Sequence, residues 1–164
     1  MKKKITAIVQ ARIGSTRLRG KVLKKIKGKE TIILLLERLS KAKKISDIIV
    51  AIPNTRENDS LFKLLDKHKY KVFRGSEKNV LKRYYDCAKK FKISNILRIT
   101  GDCPLLDSKL IDKIGGIFNS KKFDYVSNIE DRTFPDGMDI EFFSFKTLKK
   151  IYENAISSYD KEHV

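Results

Sequence analysis

Ile5-Thr-Ala-Ile-Val-Gln-Ala-Arg-Ile-Gly-Ser-Thr-Arg-Leu-Arg-Gly-Lys21 joins a short apolar block to a segment of glycines, small hydroxyls and arginines. The block Ile5 to Val9 is too brief for a helix. It ends at turn-forming residues, so it reads as a buried strand. The segment that follows reads as a loop.

Working outward, the same alternation continues. Glu30 to Ala42 sets Ile33, Leu34, Leu36 and Leu39 at helical spacing, and Asp47 to Ile52 is a second strand stopped by Pro53-Asn54. Asn58 or Asp59 is placed to cap a helix carrying Leu61, Phe62, Leu64 and Leu65. Tyr70 to Phe73 reads as a third strand. Asn79 to Phe91 is a helix with Val80, Leu81, Tyr84, Ala88 and Phe91 on one stripe. Asn95 to Ile99 is a fourth strand, and Asp107 opens a helix through Leu110, Ile111, Ile114 and Ile117. Phe123 to Val126 is a fifth strand, Met138 to Phe145 reads as extended, and Lys146 to Ile156 as helical. Strands alternating with helices predict an α/β fold, a mostly parallel sheet flanked by helices in one domain over 1–164. Ligands of such sheets gather beyond the carboxyl ends of the strands. The loops after Val9, Ile52, Phe73 and Ile99 therefore share one rim.

The chain has 164 residues, 41% of them hydrophobic, which argues against disorder despite 35% charge. No stretch approaches the ~20 apolar residues that cross a bilayer. The basic start, Met1-Lys-Lys-Lys4, lacks a following apolar core and cleavage site, so the expectation is a cytoplasmic protein with no membrane partner. Cys87 and Cys103 form no CxxC pair, and with only His68 and His163 beside them they read as reduced thiols rather than a zinc site. The net charge is +17, a field that favours anionic substrates. Its lysines are scattered from Lys2 to Lys161 with no basic tail or helix, which argues against a specific nucleic-acid partner. Arg12, Arg17 and Arg19 fall within one loop, and the guanidinium fork matches phosphate oxygens.

That loop is the centre of the functional reading. Glycine and hydroxyl residues let backbone amides turn toward phosphate oxygens while Arg12, Arg17 and Lys21 neutralise charge. Two common phosphate loops are excluded. Five residues, not four, separate Gly14 from Gly20, and Val22 follows Lys21 where a Walker loop needs Ser or Thr; GxGxxG is absent.

The run from Ile8 to Leu23 resembles the opening of the cytidylyltransferases that make CMP-activated acidic sugars, and most of all the spore-coat polysaccharide biosynthesis branch. The resemblance implies a Rossmann-like nucleotide-diphospho-sugar transferase fold. It also implies that backbone amides of Ala11, Arg12, Ile13, Gly14, Ser15 and Thr16 hold a triphosphate, with Arg17 beside them and Arg12 and Lys21 as the catalytic cations. One position departs from the family, which usually has proline where this chain has Arg19.

Arg98-Ile-Thr-Gly-Asp-Cys-Pro-Leu-Leu-Asp107 follows the fourth strand. Gly101 permits a tight turn that projects Asp102 over the sheet. A lone aspartate there can make an Asx-type bond. Beside a phosphate loop, its hard carboxylate suits Mg²⁺, which is shared with substrate phosphates. The family carries an acidic metal ligand in this turn, with Thr100 and Gly101 near the nucleotide. Phe73 to Tyr85 resembles the segment lining the base and ribose pocket, with Arg74, Ser76 and Arg83 as polar candidates. Phe134 to Phe143 resembles the stretch facing the acceptor sugar, with Asp136, Asp139 and Glu141 as candidates. Alternation sets Asp139 and Glu141 on one face of a strand, and an ordinary polar face of an edge strand explains them equally well. Lys161 to Val164 matches a further family segment.

Members of that family normally continue through a dimer-forming portion and a later acidic motif. The resemblance therefore implies that a C-terminal portion is missing, with a homodimer in the complete protein. The expected activity is Mg²⁺-dependent transfer of CMP from CTP to a sugar or acidic sugar, releasing pyrophosphate, in cell-surface polysaccharide biosynthesis. The alternatives are another nucleotide on the same fold, a nucleotide-binding remnant without turnover, and a basic nucleic-acid-binding module.

Overall fold

The computed structural model describes residues 4–15, 18–120, 123–131 and 133–162. The first strand, β1 (Ile5–Gln10), is buried along nearly its whole length. Its β-branched residues fill both faces, as a central strand covered on two sides requires. After it come a 3-10 turn (Lys21–Leu23) and a small hairpin of β2 (Lys25–Ile26) and β3 (Lys29–Glu30), then α1 (Thr31–Leu39) and β4 (Ile45–Pro53). A second 3-10 turn (Arg56–Asn58) leads into α2 (Asp59–Lys67), β5 (Lys71–Gly75), α3 (Val80–Lys90), β6 (Asn95–Thr100) and α4 (Ser108–Asn119). The chain then forms β7 (Tyr125–Ser127), β8 (Glu141–Ser144), α5 (Phe145–Asn154) and α6 (Ser158–Glu162).

The six-stranded sheet has the order β5-β4-β1-β6-β8-β7. β5, β4, β1 and β6 are mutually parallel. β8 lies antiparallel to both β6 and β7, between them. The mostly parallel sheet expected from the sequence is present, with one strand reversed. From β1 the chain moves outward through β4 and β5, then crosses back to place β6 on the other side of β1. That reversal opens a crevice beyond the paired carboxyl ends of β1 and β6, where the connections that follow them lead toward opposite edges of the sheet.

Alternate side chains of the strands build two cores. Ala7, Val9, Ile52, Leu97, Ile99 and Phe142 face α1, α2 and α4. Ile8, Ile49, Ala51, Ile96 and Phe143 face α3 and α5. In α1 the buried residues are Ile32, Ile33, Leu35, Leu36 and Leu39, a helical stripe in which each fully buried side chain contributes about 1.5–3 kcal/mol. In α3, Val80, Leu81, Tyr84 and Ala88 are buried as expected. Phe91 falls just past the helix and is exposed, and Arg83 is buried in its place.

Two local expectations are corrected. The Asn58 side chain makes no cap bond to α2 although it stands at the cap position. Asp107 does cap α4, accepting the Lys109 N–H. The edge strand is β7 rather than the segment after Met138, and Asp139 precedes β8, so Asp139 and Glu141 are not neighbours on one strand face.

Candidate functional site

The β1 loop is folded around one peptide unit. The carbonyl of Ile13 accepts the N–H groups of Ser15 at 2.8 Å and of Gly20 at 2.9 Å. Gly20 has a positive φ of 68°, a conformation glycine adopts without strain. Beyond it, the Thr31 hydroxyl donates to the Lys21 carbonyl at 2.7 Å, so the first residue of α1 fixes the backbone that carries Lys21.

The β6 turn packs directly against this loop. The Gly101 N–H donates to the Gln10 carbonyl at 2.7 Å. A Cβ on Gly101 would stand 2.8 Å from that carbonyl oxygen and 2.9 Å from the Ala11 Cβ. Only glycine fits. The close approach brings Lys21 and Asp102, 81 residues apart, into a direct ion pair. Burial raises the affinity of the Asp102 carboxyl for a proton. The Lys21 ammonium and the Thr100 hydroxyl outweigh it, holding the carboxyl below its ordinary range.

Between the loop, the turn and α3 lies a cleft of about 320 Å³. Of the residues proposed from the sequence, Ala11, Arg12, Ser15, Lys21, Arg83, Thr100, Gly101 and Asp102 line it. Arg83 is only 2% exposed, and its Nη1 donates to the Ser76 carbonyl. Burial pushes its guanidinium below the ordinary value, and the nearby Arg12 cation adds to the effect. Among the described residues the Arg83 Nε has no hydrogen-bond partner.

Other candidates sit elsewhere. Ile13 and Gly14 shape the loop and do not line the cleft. Arg74 is turned away toward α2. It donates to the Thr55 carbonyl and the Asp59 carboxylate and lies over the Phe62 ring. Ser76 accepts the Asn79 N–H, a turn-closing role. Glu141 is 4% exposed. It pairs with Arg98 and accepts the Tyr125 hydroxyl at 3.0 Å, so it supports the cleft from beneath. Burial, together with the Glu141 charge, pushes the Tyr125 hydroxyl up to about 12. Asp136 is exposed and Asp139 half-buried in the segment before β8. Gly137 lies beside the Cys103 sulfur, which sets this segment against the β6 turn. Thr16, Arg17, His163 and Val164 lie outside the described residues.

Sequence reasoning missed Gln10 and Arg98, both cleft-lining. Gln10 ends β1, and Arg98 stands two residues before Thr100 on the same strand face. The period of two along each strand would have found them. Arg19, a further arginine of the loop, is engaged by the protein itself: its Nε and Nη2 both donate to Glu57 Oε1, at 3.1 and 2.7 Å.

Among the described residues no group of three or more Cys, His, Asp or Glu is arranged around a metal position. A single carboxylate at the turn fits Mg²⁺, which takes one or two protein oxygens and completes its shell with water and substrate phosphates.

Residues 6–164 match the family of the cytidylyltransferases. The chain belongs to the cytidylyltransferase family. It is 44% identical over 161 residues to an uncharacterized protein of Methanocaldococcus jannaschii, covering 98% of this chain and 65% of that protein. It is 30% identical to the spore coat polysaccharide biosynthesis protein SpsF of Bacillus subtilis, covering 97% of this chain and 70% of that one. A cytidylyltransferase structure from Leptospira borgpetersenii superposes with a TM-score of 0.93 at 36% identity, over 98% of this chain and 68% of the other. The chain thus spans about two thirds of the length of these relatives. A CMP:2-keto-3-deoxy-manno-octonic acid synthetase complexed with CTP shares the fold, with a TM-score of 0.75 at 16% identity.

Proposed function

We propose that the cleft binds CTP with Mg²⁺ and supports transfer of its cytidylyl group to a hydroxyl of a sugar or acidic sugar. The observation that carries this reading is the Lys21–Asp102 pair, which joins the phosphate-type loop of β1 to the acidic turn of β6 at the sheet's switch point. In the reaction the acceptor oxygen forms a bond to the α-phosphorus, the bond from that phosphorus to the bridging oxygen breaks, and pyrophosphate leaves. The proton of the acceptor hydroxyl passes to water.

The residues act by positioning and by charge. Of the amides expected to hold the triphosphate, those of Ala11, Ile13 and Ser15 already donate to the Ala51 carbonyl, Asn58 Oδ1 and the Ile13 carbonyl, so the contact falls to the other amides of the β1 loop. Arg12 and Lys21 neutralise the charge that builds on the departing pyrophosphate. Asp102 would hold Mg²⁺, which when bound supplies Lewis-acid polarisation of the phosphate oxygens. Asp136 and Asp139 accept hydrogen bonds from acceptor hydroxyls, supported by the packing of their segment against the β6 turn. Glu141 keeps Arg98 aimed at the cleft. Polysaccharide biosynthesis, as in the name of the Bacillus relative, is the setting this chemistry suits.

Pyrophosphate release with CTP, UTP, GTP and ATP against a panel of sugars and acidic sugars tests the proposal. CTP with one acceptor class should give release that Asp102→Ala abolishes. Equal use of all four nucleotides, or full activity in Asp102→Ala, would contradict it.

A further inference from the structure

The side chain of Asn58 is 1% exposed and stands at the mouth of α2 without capping it. Its Oδ1 accepts the Ile13 N–H at 3.0 Å, 45 residues away in sequence. Its Nδ2 donates to the Thr55 hydroxyl at 2.9 Å, which fixes the amide's orientation. Ile13 is the pivot of the β1 loop, since its carbonyl already gathers the Ser15 and Gly20 amides. With the N–H held by Asn58, both polar groups of that residue are committed. Glu57, the preceding residue, holds the loop at one further point and lies close to another. It pairs with Arg19, and its Oε2 stands 2.8 Å from where a Gly14 Cβ would be.

From this geometry we infer that Asn58 is a positioning residue for the phosphate loop, with the Glu57–Arg19 pair as a latch across it. The 3-10 turn after β4 acts as a clamp that shapes the loop before any anion arrives. A loop with its amides already oriented does not lose that ordering entropy on binding. Asn58 touches no substrate and works through Ile13. The latch also neutralises Glu57, a carboxylate that would otherwise repel an anion at Gly14. The inference rests on the reading of this loop as a triphosphate site.

The test compares Asn58→Leu, which keeps the size and removes the acceptor, with Asn58→Asp, which keeps an acceptor facing Ile13. Affinity for inorganic tripolyphosphate and for CTP is measured by calorimetry at a temperature where melting curves show every variant folded. Asn58→Leu should bind both ligands about tenfold or more weaker, as leaving a buried N–H without its partner implies. Asn58→Asp should recover most of that loss. Thr55→Val, a milder change outside the core, frees the Asn58 amide and should weaken binding in the same direction even where Asn58→Leu does not fold. A purely structural Asn58 would lower the melting temperature and leave the affinity of folded protein unchanged; that result overturns the inference. Equal weakening by Asn58→Leu and Asn58→Asp also overturns it. Wild-type protein that binds neither ligand overturns the triphosphate reading itself, and the inference with it.

Discussion

Gly101 decides whether the two halves of the cleft can meet. Its missing Cβ leaves room for the Gln10 carbonyl and Ala11, and backbone atoms cannot swing aside as a flexible side chain can. Gly101→Ala should therefore separate the β6 turn from the β1 loop, at a cost of about 1–3 kcal/mol typical of overpacking. Chemical denaturation should show that loss and calorimetry a fall in CTP affinity; unchanged values for both would contradict the account. One residue on, Asp102 makes a prediction in pH. Its folded carboxyl titrates below the ordinary range, so the stability it contributes is present above about pH 4, the unfolded value. That contribution disappears as pH falls through the folded value. The stability difference between wild type and Asp102→Asn should thus narrow on acidification below about pH 4. A constant difference from neutral to acidic pH would show that the Lys21 pair does not act on folding. Lys21 and Asp102 were legible in the sequence because a phosphate loop and an acidic turn each have a composition. Asn58 was not, since its partner is a backbone N–H 45 residues away, and no side-chain pattern records such a bond.

The elements show a similar division. β1, β4 and β6 were legible because β-branched blocks between turns have few other readings. The β2–β3 hairpin is built from Lys25, Ile26, Lys29 and Glu30, which carry no strand signal. Its mark is the turn, where Lys27 and Gly28 both have positive φ, as a two-residue type I′ hairpin requires. α6 also escaped notice although Ser157 and Asp160 form a reciprocal cap, each side chain accepting the other's N–H. The most consequential surprise is β8. Glu141 looked like an exposed sugar ligand, yet the strand's insertion between β6 and β7 buries it against Arg98. A buried pair is costly to break from one side and cheap to replace whole. Glu141→Ala should cost about 3–5 kcal/mol by urea denaturation, and the double variant Arg98→Met/Glu141→Leu should recover most of it. If the single change were nearly neutral, the pair would be solvated and not buried.

For the whole molecule, topology locates the site. Strand order follows from how the chain returns from β5 to β6, and that reversal opens the crevice beside β1. The sequence revealed the alternation of elements but not the antiparallel place of β8, because register and direction depend on contacts between segments distant in the chain. The net charge of +17 acts at this scale too, drawing anions toward the surface. The association rate of CTP should accordingly fall as salt rises through the range where the screening length shrinks from ~30 to ~8 Å. A salt-independent rate by stopped flow would remove the field from the account. The central claim is that the crevice is a triphosphate site built by the β1 loop and closed by the β6 turn. The most direct test is calorimetric titration of CTP with Mg²⁺ into wild type and Lys21→Ala. The account predicts saturable one-to-one binding, displaced by inorganic tripolyphosphate, and about tenfold or more weaker in Lys21→Ala, as loss of a charge-assisted contact implies. Equal binding by both proteins, or binding that tripolyphosphate does not displace, would contradict it.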